Sequence, residues 1–336
     1  MTQDLRHEYW ARAALADRPP DWWHGVLGVV GYDEPPSGCA ADVPLATTRT
    51  PLLGGAAPVC EVWRTDERPA TSGAPVAGDG WQLHTRAVGS WLFGALTVSE
   101  AGSAMGLGEA VRAGYAGIFG ALAAGEHPFL VRIWNYLPDI NRVEAATERY
   151  RSFNTARQAA FEAGGRAISG EVPAACALGS TGGGPIAIHF LAASVAPMAI
   201  ENPRQLSAYA YPPRYGRHSP TFARASLVPG IGGVRLFVSG TASIIGHETR
   251  HAGDVAAQTE ESLANVDAVL GAANERLGAH RYTLENLHFR VYVRRPADVA
   301  AVAARCAKVL SGQVPIVFLQ ADICREDLLV EIEALG

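Results

Sequence analysis

Four groups of residues have types and spacings that chemistry can use. The first is the pair Glu331 and Glu333 in the closing run LLVEIEALG. Strand alternation sets both acids on one face and Val330 and Ile332 on the other. A carboxyl group in a semi-apolar cleft keeps its proton and serves as a general acid. The competing reading is two solvated acids near a chain end. The second group is Tyr150, Asn154, Arg157 and Phe161, spaced i, i+4, i+7 and i+11 on one helical face, with Phe153 beside them. A face that carries aromatics turns inward and takes Arg157 with it. A buried guanidinium needs an anion, from the protein or from a ligand, and the spacing leaves both open. The third group is the proline-stiffened stretch 208–226 with Tyr209, Tyr211, Arg214, Tyr215, Arg217 and Arg224. Arginine beside tyrosine hydroxyls suits a small organic acid, so this stretch is expected to wall a ligand site. The fourth is FVSGTASIIGHETRHAGD, where a strand ends at Gly240 and the missing side chain admits a close approach; taken alone, a bulge or a turn is the stronger reading.

Other chemistries find less support. The chain has 336 residues, 48% apolar and 18% charged, which suits one large or two ordinary domains with real cores. A net charge of −5 gives no basic excess for nucleic acid. Lys308 is the sole lysine, so an anion site here would use arginine forks. The five cysteines are scattered and form no CxxC pair. His247 and His251 sit four apart, but a metal needs a third ligand, so no metal is expected. No GxGxxG, GxxxxGK[ST] or GxSxG occurs, and the STGGG of 180–184 joins two strands as a turn. No run of 18 apolar residues is present and the N-terminus lacks a signal-like run; a cytoplasmic protein without a membrane partner is expected.

These groups need elements to hold them. Up to about residue 80 the chain is rich in Pro and Gly, with short apolar runs at 22–30 and 59–64 that read as strands between loops. Beyond residue 90, the pattern predicts strands at 91–98 and 129–137, helices at 108–124 and 145–163, and strands at 172–178 and 185–192. The order then repeats. Strands are predicted at 234–240 and 287–294. Asp254 caps a helix running to Leu277, Pro296 opens another that Gly312 ends, and strands follow at 314–323 and 328–332. The expected architecture is α+β, two β-α-β-α-β-β halves packed together. Residues 1–195 form the first half with an irregular leader. Residues 196–336 form the second half with the candidate acid.

Seven segments in order resemble the chorismatase family: RIWNYLPDIN (132–141), ERYRSFNTAR (148–157), ENPRQLSAYAYPPRYG (201–216), SPTFARA (219–225), LFVSGTASIIGHET (236–249), VYVRR (291–295) and DICREDLLVEIE (322–333). The resemblance runs from about residue 60 to the end. It implies halves similar in fold to Rid/YjgF proteins, and removal of the enolpyruvyl side chain of chorismate as pyruvate without metal or organic cofactor. It maps the catalytic acid onto Glu331. Gly240 and Cys324 resemble the pair of the type that yields 3-hydroxybenzoate; the hydrolytic type, which yields a dihydroxylated cyclohexadiene acid, has alanine at both. The resemblance also implies that Arg157 and Arg224 bind the two carboxylates, with Tyr150, Tyr211 and Tyr215 lining the site. On that reading Gly240 is expected to give the ring room to bend, and Cys324 to shape the pocket and keep water out. Ala210, Asn154 and the Arg217–His218 pair depart from the family's usual pattern and are expected along the substrate wall. Hydrolase and 4-hydroxybenzoate variants are the alternatives within the family, and a Rid-like imine-binding or deaminating protein is the alternative outside it. Rid relatives are trimers, so either a homo-oligomer or a single internally duplicated chain is expected.

Overall fold

A computed structural model describes residues 5–55, 58–66, 70–100, 106–230, 233–310 and 312–336. The leader is not irregular. Its apolar runs pair as β1 (Arg6–Ala11), β2 (Val26–Gly31), β3 (Leu45–Thr47) and β4 (Val59–Arg64) in a sheet of order β1-β4-β2-β3. Residues 22–25, read as strand, instead close a 3₁₀ turn (Pro20–Gly25) that Pro20 starts.

The next stretch contains β5 (Thr71–Ser72), β6 (Val76–Gly78), β7 (Trp81–Val88), β8 (Trp91–Val98), α1 (Leu107–Ala124), β9 (Phe129–Pro138), β10 (Val143–Glu144), β11 (Thr147–Glu148), α2 (Arg149–Ala163), β12 (Ala174–Ser180) and β13 (Ile186–Ala193). After it come β14 (Met198–Ile200), β15 (Ala225–Gly230), β16 (Gly233–Ala242), β17 (Ile244–Ile245), β18 (Glu248–Thr249), α3 (Val255–Leu277), β19 (His288–Val293), α4 (Val299–Val309), β20 (Ile316–Gln320) and β21 (Val330–Leu335). The two main sheets run β12-β9-β13-β8-β7-β5 and β14-β15-β16-β21-β19-β20. Five strands of each follow one order, β12-β9-β13-β8-β7 against β20-β19-β21-β16-β15. In both, the outer pair is parallel and the rest antiparallel. Each half is therefore β-β-α-β-α-β-β, one strand longer at its start than the periodicity predicts. The strand missed in the second half is ASLVPG, whose Pro229 and Gly230 read as breakers.

Local chemistry explains the helix ends. The Asp254 side chain accepts from the Ala257 N–H at 3.0 Å, and Gly278 closes α3 in the left-handed conformation. By contrast, α2 does not begin at Ala145. Ala145 and Ala146 both have positive φ and make the tight turn of the β10–β11 hairpin, so helix starts only at Arg149. α4 ends at Val309, where the N–H of the capping Leu310 donates to the Cys306 carbonyl, and not at Gly312. Pro296 opens a single 3₁₀ turn ahead of it.

The helices α1 and α2 cover one face of the first sheet, and α3 and α4 one face of the second. The uncovered faces meet each other and the leader across a third core containing Trp63, Phe93, Trp134, Phe237 and Tyr292. Backbone N–H groups of β12 are stitched to the other half. Ala174 donates to Ser226 Oγ and Ala175 to Ser239 Oγ, each at 2.9 Å. This leaves β21 buried on both faces: Val330, Ile332 and Ala334 against the helices, Glu331 and Glu333 in the layer between the sheets. The competing reading of two solvated acids near a chain end fails here, because the opposing sheet supplies a cover that strand alternation cannot show.

Candidate active site

Where α2, β12, the 211–224 segment, β16 and the loop before β21 converge, they enclose a cleft of about 820 Å³. Glu331, Cys324, Gly240, Arg157, Arg224, Tyr150, Tyr211 and Tyr215 all line it. Tyr209, Arg214 and Arg217 do not. Of the positions departing from the family pattern, Asn154 lines the cleft, whereas Ala210, Arg217 and His218 do not. The sequence reading missed Arg325 and Cys176, which also line it. Arg325 follows Cys324 directly, so its place in a conspicuous DICRED run was the available signal.

The two acids of β21 have opposite surroundings. Glu333 accepts from Arg132 and Tyr292, and from Trp134 Nε1 at 2.7 Å. Glu331 is 4% exposed and makes no hydrogen bond or ion pair with any described residue. Burial and the nearby Glu333 charge push its carboxyl up to about 8, against the pull of Arg132 and Arg224. At neutral pH it is a carboxylic acid facing a cleft.

Gly240 sits in a bulge, where the pairing of β16 with β21 shifts between Val238 and Thr241. An added Cβ there would overlap the Glu331 carboxyl, 2.7 Å from its carbon, and would lie 3.0 Å from Cys176 Cβ. The space that Gly240 leaves is thus filled first by the acid itself. Cys324 packs beside the main core, and burial pushes its thiol up to about 12. A protonated thiol is a wall and not a nucleophile.

Three guanidinium groups reach the cleft with donors to spare. Arg157 is 2% exposed, and its Nε and Nη2 have no protein acceptor. No acidic side chain among the described residues pairs with it. Its guanidinium carbon lies 5.3 Å from the Phe161 ring centre and 5.8 Å from that of Tyr115. Arg224 donates through Nη2 to the Leu206 carbonyl (2.7 Å) and Tyr211 hydroxyl (2.9 Å), leaving Nε free. Arg325 stacks 4.1 Å from the Tyr215 ring centre and donates through Nη1 to the His247 carbonyl, with Nη2 free. Tyr150, far above its usual range through burial, stays a neutral donor on the same wall. The cleft thus pairs one neutral acid with unmatched cationic donors, which suits an anionic substrate that must receive a proton.

His247 lies in the β17–β18 turn near Arg214 and Tyr215, and His251 lies 3.4 Å from Glu261. Among the described residues, no three His, Cys, Asp or Glu side chains gather as a metal site would require. No described helix is long and apolar enough to cross a membrane.

A 3-hydroxybenzoate synthase of Streptomyces hygroscopicus is 41% identical over 297 residues, covering 83% of this chain and 82% of its own. The chain belongs to the chorismatase family. A chorismatase of Streptomyces rapamycinicus is 43% identical over 254 residues, 73% of this chain and 74% of the relative. The family description "Chorismatase FkbO/Hyg5-like, N-terminal" matches residues 61–192. A chorismatase crystal structure superposes with a TM-score of 0.86 at 33% identity, covering 100% of this chain and 99% of that one. The whole fold, leader sheet included, is therefore of chorismatase type.

Proposed function

We propose that this chain converts chorismate to 3-hydroxybenzoate and pyruvate, with Glu331 as the acid. The observation that carries this reading is the buried, unpaired Glu331 in a cleft where Arg157, Arg224 and Arg325 have no ion-pair partner among the described residues. Chorismate brings two carboxylates, which Arg157 and Arg224 hold, with Tyr150, Tyr211 and Tyr215 along the ring. Glu331 gives its proton to the enolpyruvyl methylene, and an oxocarbenium-like centre forms beside the ether oxygen. The ring hydroxyl attacks that centre, and the pyruvyl group shifts and then leaves as pyruvate. The ring loses one proton as it becomes aromatic, so the acid is restored and no water is consumed overall. If water attacks instead, the product is the diene diol acid. Gly240 seats the Glu331 carboxyl, and Cys324 fills the wall where water would enter. We also infer that the chain divides near residue 195, that one cytoplasmic copy makes a complete cleft, and that no cofactor is needed.

Incubation with chorismate alone and chromatography of the products tests this. 3-Hydroxybenzoate equimolar with pyruvate is expected. The diol or the 4-isomer would reject the product assignment, and untouched chorismate would reject the substrate. Replacing both Gly240 and Cys324 by alanine is expected to move product toward the diol, because the Cβ displaces the acid and the smaller wall admits water. An unchanged product ratio would remove both residues from product choice.

The acid form of Glu331 is the working form, so activity must be lost as pH rises through about 8. kcat/KM is expected to be level from pH 6 to 7 and to fall about tenfold per unit above 8. A profile that rises through that range would make Glu331 a base.

A further inference from the structure

Behind the acid lies a buried set of four charges drawn from all three sheets. The Glu333 carboxylate is shared by Arg132 of β9 and by Arg290 of β19, whose Nη1 lies 3.5 Å away. Arg290 also forks through Nε and Nη2 onto both oxygens of Glu61, on leader strand β4. None of the four side chains is more than 6% exposed. Trp134 and Tyr292 donate to Glu333, and Tyr32 to Glu61, so the anions are held in place by neutral donors as well. Two cations and two anions sum to zero. Without Glu61, the two arginines would outweigh Glu333 in the buried layer that Glu333 shares with Glu331, two residues away on β21, and an uncompensated cation there favours ionisation.

We propose that Glu61 of the leader sheet is a positioning residue for the acid step: with Arg290 it closes a neutral quartet, and that neutrality leaves the proton on Glu331. The inference rests on Glu331 being the acid. The leader is thereby part of the catalytic apparatus, although none of its described residues lines the cleft. Around Glu61 stand His7 and Tyr9 of β1, Tyr32 after β2, His189 of β13 and His288 of β19. Burial lowers these histidines and raises these tyrosines, and His7 Nε2 lies 3.3 Å from Glu61. On the cleft side Glu331 faces Arg224, Tyr150, Cys176 and Cys324; burial keeps the phenol and both thiols protonated. Burial lowers the histidines and raises the tyrosines and thiols, so between pH 7 and 9 the quartet's balance is read from the titration of Glu331.

That titration is followed by infrared difference spectroscopy of the protonated carboxyl band, each protein against its own Glu331→Gln version. The readout needs no turnover. Glu61→Gln leaves one excess positive charge and is expected to lower the midpoint by about one unit; Arg290→Gln leaves one excess negative charge and is expected to raise it by about as much. The charge-balanced pair Glu61→Gln with Arg290→Gln is expected to return the midpoint to that of the unmodified protein. Singles that shift the same way, or not at all, overturn the proposal. So does a pair that fails to restore the midpoint. If only one single variant folds, the sign of its shift decides. If neither folds, an ionised Glu331 at pH 7 in the unmodified protein overturns the proposal, and a displaced midpoint in the paired variant does the same. Shifted midpoints with no consumption of chorismate would leave the quartet standing and reject the substrate.

Discussion

Glu331→Gln is expected to lower pyruvate release by about 10²–10⁴-fold while leaving substrate affinity nearly intact, since the amide keeps the shape but has no acidic proton. The same change is expected to stabilise the protein at alkaline pH. In the unfolded chain the carboxyl titrates near 4.3, whereas in the folded chain it titrates near 8. Between those values the unfolded state releases a proton that the folded state keeps, so folding loses stability as pH rises, up to roughly 3–5 kcal/mol above pH 8. Below about pH 4 both states are protonated and the penalty vanishes. Glutamine does not titrate, so the gap in unfolding temperature between variant and parent should be small at pH 5 and wide at pH 8.5. A gap that stays constant across that range would mean that Glu331 is ionised in the fold, and near-normal turnover would remove its acid role. Function is thus maintained at a cost in stability, a common trade at active sites.

Arg157→Ala is expected to weaken substrate binding by about 2–5 kcal/mol, roughly 30- to several thousand-fold in Kd. Titration calorimetry in a Glu331→Gln background measures this without turnover. The magnitude follows from burial: the guanidinium is desolvated and has no anion in the protein to compensate it. The substrate carboxylate would then complete a pair that the fold leaves open. For the same reason, the variant should unfold at a temperature equal to or above that of the parent, because no internal ion pair is broken. Unchanged affinity with lower stability would assign Arg157 a structural role. The spacing of α2 left those two readings level; the absence of an acidic partner among the described residues favours the ligand.

Much of this protein was legible in one dimension. The alternation in β21, the one-sided face of α2, the Asp254 cap and the glycine turn between β12 and β13 all follow from local rules, and the structure has each of them. The repeat of strand order was also visible, short of its first strand in each half. Those strands were hidden because β15 carries Pro229 and Gly230, and β7 mixes Trp, His, Thr and Arg with its apolar residues. Arg325 escaped because a lone arginine in a loop carries no periodic signal.

By itself the sequence determined which residues share a face, where helices could be capped, and which chemical groups were present in seven recognisable segments. Tertiary structure alone decided how Glu331 and Glu333 differ. They are two residues apart on one face, yet Arg132, 201 positions away in sequence, holds one and leaves the other. It also decided that Gly240 makes room for an acid and that the leader reaches Arg290 through Glu61, 229 positions apart. Periodicity reports the geometry of neighbouring peptide units. Proton affinity depends on the solvent and charge that surround a group, and here those come from three separately folded sheets.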